Sequence, residues 1–530
     1  MPSSNTTERQ PLLARTNSQG HSRSTTASSV STVGDDETLG STHSPSYPGN
    51  SEHQALGALF SSLLVDSIPV ILSYVLQNSI QTVSVLVAGR LGPDELSAAA
   101  FSLMLAMVLG WCIALGGTTA LDTLGSQAFT GGDRLSVSIH LQRCILLLWL
   151  LFIPVAVLWA YIEPVLLLLG QEARLSHDVQ AFLRVLIVGA PGYIGFESLK
   201  KYLQCQGIMR ASTYVLAAVA PVNLALNVYL VHHTRLGLLG SPLAISITFW
   251  LCFLALALLT SRSQAHRRNG TWAGFQLGLV LDAGSCGCFL RLAIPGILMV
   301  GTEWAAFEIV ALAAGRLGSL PLAAQSVIMT TDQIMNTIPF GIGVAASARV
   351  GNLIGARLPN AAKRASHASA LLSVVVGAIV MIVLIATKDI FGYIYSDDDD
   401  VVVLVSKVMP LVASFQIADG LAGSCGGVLR GQGRQHLGAL FNLIAYYVLA
   451  LPLGITLAFH PNSRLGLQGL WIGQVVALFI VGLSEYSVVW FGTDWEKEVQ
   501  RGIERNQAEA KRRQMREHRR SLSGTDTSSP

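Results

Sequence analysis

The sequence predicts an all-α integral membrane protein with twelve transmembrane helices in two six-helix, pseudo-symmetric lobes. Three observations carry the prediction. About twelve apolar stretches are each long enough to cross a bilayer, which takes roughly 20 residues. Only 13% of the 530 residues are charged and 51% are hydrophobic, with a mean hydropathy of +0.51, whereas soluble domains run near about 25% charged. A pattern of short motifs also recurs along the chain at a constant offset of 226 residues.

The elements follow in order. Residues 1–56 include SSNTT, SRSTTASSVSTVG and STHSPSYPGN, which are Ser/Thr-rich and without apolar periodicity, so a disordered cytosolic tail is expected. No basic region precedes an apolar one there, so no cleaved signal peptide is expected. The first lobe, 57–265, holds predicted spans at 64–88, 96–122, 139–161, 179–199, 211–232 and 241–260. A cytosolic linker, 266–288, leads to the second lobe, 289–492, with spans at 289–315, 321–346, 366–386, 402–427, 436–458 and 467–491. Apolar segments at 163–169 and 388–396 are too short to cross and read as interfacial turns. Residues 493–530 form a charged cytosolic tail, in which KRRQMREHRR (511–520) predicts a helix near anionic headgroups.

An even number of spans puts both termini on one side. Lys and Arg favour that side about two to one when Arg134, Lys200, Lys201, Arg210 and Arg430 are counted in its connections, so both termini are expected in the cytosol.

The repeat divides the chain. AIPGIL (293–298) echoes SIPVIL (67–72), GRLG occurs at 89–92 and 315–318, and Gln206-Gly207 aligns with Gln432-Gly433. Six spans per repeat give halves of the same orientation, related by an axis along the membrane normal. Two lobes able to rock against each other predict an alternating-access transporter.

Within the second lobe, MVGTEWAAFEIVALAAG (299–315) carries Glu303 and Glu308 in an apolar run. An ionisable group at mid-bilayer costs about 2.5–3.5 kcal/mol, and each large apolar residue returns only about 0.3–0.6. The acids are therefore expected to face something other than lipid. At the repeat offset Glu303 falls on Gln77 and Glu308 on Thr82, which assigns the ion-coupling site to the second lobe and makes Gln77 a candidate cavity residue. The structural alternative for each acid is a hydrogen bond between helices.

Long ordered stretches resemble the multidrug and toxic compound extrusion (MATE) transporters of the eukaryotic type. They are IPVILSYVLQNSIQTVSVLVAGRLG (68–92), TALDTLGSQAF (119–129), LAIPGILMVGTEWAAFEI (292–309), IPFGIGVAASARVGNLIGA (338–356) and IADGLAGSCGGVLRGQGRQHLGALFNLIAYYVLALPLG (417–454). The resemblance implies a V-shaped pair of six-helix lobes and cation-coupled efflux of small organic molecules. It also implies that Glu303 is the helix-7 acid, Glu308 the second acid of that run, and Asp419 the helix-10 acid. Chemically this fits, because desolvation favours a protonated carboxyl and a bound cation favours the carboxylate, so one site trades proton for cation. Glu303 and Glu308 lie about 140° apart round a helix, so Glu303 is expected to face the cavity. Relatives have polar residues where this chain has MVLG (107–110), and this chain has Asp332 in helix 8, read either as cavity lining or as bonded to Thr or Asn336. Trp304, Phe307, Tyr446 and Tyr447 are candidates to stack on a cationic substrate, with core packing as the alternative.

Other classes find little support. A net charge of +3 is too small to suggest nucleic acid. The seven cysteines lack a CxxC pair, and the histidines form no cluster at one depth, so no metal, no cofactor and no enzymatic activity are expected. Protons are the expected coupling ion, with sodium as the alternative. A flippase for lipid-linked precursors, the second reading, would want more Lys and Arg in its cavity. Glu8, Leu12 and Leu13 match an acidic dileucine sorting pattern, predicting an adaptor as partner and a vacuolar or lysosome-like membrane, with the plasma membrane as alternative. A monomer in the bilayer is expected.

Overall fold

The computed structural model describes residues 56–395 and 398–525. Glu8, Leu12, Leu13 and Asp397 lie outside the described residues. Among those described, twelve helices are long and apolar enough to cross a membrane: α1 (Gly57–Gly89), α2 (Pro93–Thr130), α3 (Ser136–Ala160), α4 (Ala173–Cys205), α5 (Ala211–His232), α6 (Gly237–Arg262), α7 (Ala283–Leu317), α8 (Ser319–Gly355), α9 (Pro359–Ile394), α10 (Asp399–Gln432), α11 (Gln435–Phe459) and α12 (Leu467–Trp490). A charged helix, α13 (Trp495–Thr525), follows. The chain is a multi-pass integral membrane protein. The two short segments read as interfacial turns differ from that expectation: Glu163–Leu168 forms a short α-helix, and 388–394 continues α9, which closes in a 3-10 turn over Gly392–Ile394.

Each helix overlaps its predicted span, and most run longer. The 37 residues of α8 extend about 55 Å, well beyond a hydrocarbon core of about 30 Å. Their excess lies on the side of the α8–α9 connection, where the final turns from Gly341 to Gly355 are buried apart from the half-buried Arg349. Polar residues at helix ends look like boundaries in a hydropathy scan. Here they continue as helix because the other lobe covers them. Caps fix two starts: Asp282 accepts from the backbone N–H of Ser285 at 2.9 Å at α7, and Asp398 accepts from that of Asp400 at 3.0 Å at α10.

The lobes meet with the symmetry of the repeat. Ile297 on α7 lies against Gly116 on α2, and Ile71 on α1, its counterpart at the 226 offset, lies against Gly341 on α8. Neither glycine has room for a methyl, so backbones approach closely, as small residues permit in membranes. Pro69 and Pro295, also equivalent by the repeat, each sit inside their helix, where the ring removes one backbone hydrogen bond.

On the side of the α2–α3 and α10–α11 connections the lobes are joined by hydrogen bonds. Thr130 donates to the carbonyl of Asn352 (2.6 Å), Gln127 to that of Gly431 (2.9 Å), and Asn352 to that of Cys205 (3.0 Å). Helix α13 lies across the same face. Its Arg143–Glu509 and Arg513–Asp133 ion pairs, at 3.0 and 2.9 Å, hold the first lobe. Its Trp495 and Val499 pack into the second lobe with Ile354 and Val428.

Candidate functional site

A cavity of about 50 Å³ lies within the second lobe, between α7, α8, α10, α11 and α12. Glu303 and Trp304 reach it from α7, Asp419 and Arg430 from α10, Tyr446 from α11 and Glu485 from α12. Asn336 on α8 donates to both oxygens of Asp419 at 3.2 and 3.3 Å. Glu303 is partly exposed, whereas Asp419 is buried. This volume holds a few waters and is far below the roughly 300 Å³ or more of a drug-sized pocket. The polar floor is kept open by backbone supports: Asn442 donates to the carbonyl of Met299 (2.8 Å), and residues 443–450 of α11 are wound as a π-helix, placing Tyr446 inward. Such π segments are uncommon and concentrate at functional sites.

The remaining candidates lie elsewhere. Glu308 is partly exposed and is not among the lining residues. Phe307 packs near Trp471 and Tyr446, at centroid separations of 6.3 and 6.2 Å, as part of the apolar core. Asp332 accepts from Gln416 on α10 at 3.4 Å, so its partner is neither Thr nor Asn336, which is engaged by Asp419. Tyr447 donates to the carbonyl of Thr302 at 3.0 Å.

Gln77 belongs to a different set of residues. Its amide donates to Glu197 (2.9 Å) and Tyr193 (3.1 Å), and its carbonyl accepts from Lys200 (3.0 Å), all buried in the first lobe. Glu197 pairs with Lys200 at 2.7 Å, and Asp122 with Lys201 at 3.0 Å. The expectation that Lys200, Lys201 and Arg430 sit in connections is therefore corrected: all three are inside helices and no more than 4% exposed. The first lobe does have buried acids. What separates the lobes is pairing: in the first lobe the buried Glu197 and Asp122 each have a lysine at ion-pair distance, whereas the cavity of the second lobe brings Glu303, Asp419 and Glu485 together with Arg430 as its one basic lining residue. Glu485 went unremarked in the sequence reading, although an acid inside an apolar span is a functional candidate by default.

Twelve crossing helices among the described residues, in two repeat-related lobes with an acid-lined cavity in the second, have the architecture of a membrane transporter. The MatE family model matches residues 69–229 and 295–456, two stretches that begin 226 residues apart, as the internal repeat does. The chain is 36% identical to Uncharacterized transporter C323.07c of Schizosaccharomyces pombe, over 83% of this chain and 81% of that protein. It is 36% identical to mouse Multidrug and toxin extrusion protein 2, over 81% of this chain and 74% of that one. Its fold matches the crystal structure of the eukaryotic MATE transporter AtDTX14 with a TM-score of 0.78, at 30% identity, over 84% of this chain and all of that one. The chain belongs to the MATE family of transporters, in its eukaryotic branch, and the flippase alternative is not favoured.

Proposed function

We propose that this protein is a proton-coupled antiporter that exports or sequesters small organic cations, with Glu303 and Asp419 as the exchange site. The observation that supports this most is that acids from α7 and α10 share one polar cavity with an aromatic rim of Trp304 and Tyr446. A protonated pair suits a closed, water-sized cavity, and a deprotonated pair suits a bound cation. The present cavity is too small for an organic substrate, so binding requires the lobes to separate; the interlobe hydrogen bonds are the contacts that would break in alternating access. The tail face is assigned to the cytosol, and both termini with it.

Reconstituted vesicles test this. Efflux of a fluorescent cation such as ethidium should follow an imposed pH difference and ignore a sodium gradient. Sodium-driven efflux without a pH difference would overturn the choice of ion. The dileucine pattern supports a vacuolar or lysosome-like membrane. Changing Leu12 and Leu13 to Ala should move a tagged protein to another membrane, and an unchanged distribution would leave the motif inert.

A further inference from the structure

Glu485 plays no part in the exchange reading above, yet it is the least compensated acid of the cavity. It projects from α12, is 0% exposed, and neither carboxyl oxygen has a hydrogen-bond partner. The reason is local. Its oxygens lie against Gly426 of α10 and Gly438 of α11, where a methyl would come within 3.2 and 3.0 Å of them, so no side chain at those positions can donate. A buried carboxylate without partners costs on the order of several kcal/mol. A lobe that keeps one needs a cation or a proton to complete it.

The charges facing Glu485 can be counted element by element. Glu303 comes from α7, Asp419 and Arg430 from α10, and only the neutral Asn336, Asn442 and Tyr446 from α8 and α11. Asp332 on α8 stands outside the lining, held by Gln416. Arg430 Nε is 3.8 Å from Asp122 of the first lobe, but Lys201 already holds that carboxylate at 3.0 Å. Lys201 balances Asp122, and Arg430 is left to balance one of three cavity carboxyls.

We propose that Glu485 is a third carboxylate of the cation site, that Arg430 is the tethered counter-cation of that site, and that the site therefore carries two protons when it is empty of substrate and releases both when an organic cation binds. This rests on the exchange role proposed for Glu303 and Asp419. Arg430 also lies 3.8 Å from Asp122 across the lobe boundary, so opening removes that second carboxylate and leaves its charge wholly to the cavity, which makes it a positioning residue for the empty site.

The test is the proton dependence of ethidium exchange in vesicles. Below saturation, a tenfold rise in proton concentration should raise the wild-type rate by up to about a hundredfold, and the Glu485→Gln rate by about tenfold, because one fewer proton is linked to the cycle. Glu485→Asp should restore the steep profile. A Glu485→Gln profile as steep as wild type overturns the third carboxylate while leaving the exchange site intact. Loss of effect for Glu303→Gln and Asp419→Asn would instead remove the reading beneath it. If Glu485→Gln does not fold, the wild-type protein still decides. A carbodiimide that reacts with protonated carboxyls in apolar surroundings should modify Glu485, less as pH rises and less in the presence of ethidium. Modification that is absent, or indifferent to both, overturns the proposal.

Discussion

Arg505 of α13 donates to the side-chain oxygen of Gln127 at 2.9 Å, and its second Nη donates to the carbonyl of Gln432 at 3.0 Å. One guanidinium thus bridges α2 of the first lobe and α10 of the second. Hydrogen bonds to charged groups are worth about 1.5–3 kcal/mol each. Arg505→Ala should therefore weaken closure of the tail face. Cys205, wholly buried beneath this face, reports on it. Its labelling by a maleimide, mapped by mass spectrometry, should accelerate about tenfold or more. An unchanged labelling rate would mean that α13 does not hold the lobes together.

Attachment of α13 should also have a defined pH limit. Burial opposes the charge on Glu509, but His140, Arg143 and the hydrogen bond from Ser285 outweigh it and hold this carboxyl below the usual glutamate value. A depressed folded-state value stabilises above the unfolded pKa, and that stabilisation is lost as pH falls through the folded one. Protease cleavage within α13 should therefore be steady from neutral pH down to the ordinary glutamate range and rise only below it. Glu509→Gln should be cleaved faster at neutral pH. A transition near neutrality would contradict this assignment.

The glycine contacts between lobes make a steric prediction. Gly116→Val would overlap the backbone of Ile297, and Gly341→Val would overlap Ile71. Overpacking of this kind costs about 1–3 kcal/mol. Each variant should lower the melting temperature in detergent by a few degrees. Equal melting of both variants and wild type would mean that the lobes do not approach this closely.

Two residues that the sequence offers as cavity lining should behave as structural. Phe307→Ala removes a ring packed near Tyr446 and Trp471, a loss of about 3–5 kcal/mol. Gln77→Ala strips Glu197 and Lys200 of a buried partner, at about 1–3 kcal/mol. Both should melt earlier than wild type while the KM for ethidium changes less than about threefold. A large KM change at native stability would return them to the substrate path.

Much of this architecture is legible in the sequence because apolar length and a constant repeat offset are local or periodic signals. Glu303 and Asp419 are legible too, since an acid inside an apolar run stands out, and the two do share a cavity. Lys200, Lys201 and Arg430 were misplaced for a physical reason. A basic residue near the end of an apolar run ordinarily marks a connection, and only the fold supplies the distant Asp122 that allows Lys201 to be buried and the acid-lined cavity that Arg430 enters. Gln77 and Glu303 occupy equivalent repeat positions but different surroundings, because Glu197 and Lys200 have no counterpart around the cavity.

The central claim is that Glu303 and Asp419 exchange protons for substrate. Glu303→Gln keeps the shape of the side chain and removes its titration. Vesicles carrying this variant, or Asp419→Asn, should contain folded protein in normal amount. Under an imposed pH difference they should exchange ethidium for protons at rates at least about a hundredfold below wild type, the effect of about 2.7 kcal/mol. Exchange by Glu303→Gln at near wild-type rates would make this carboxylate structural and contradict the account.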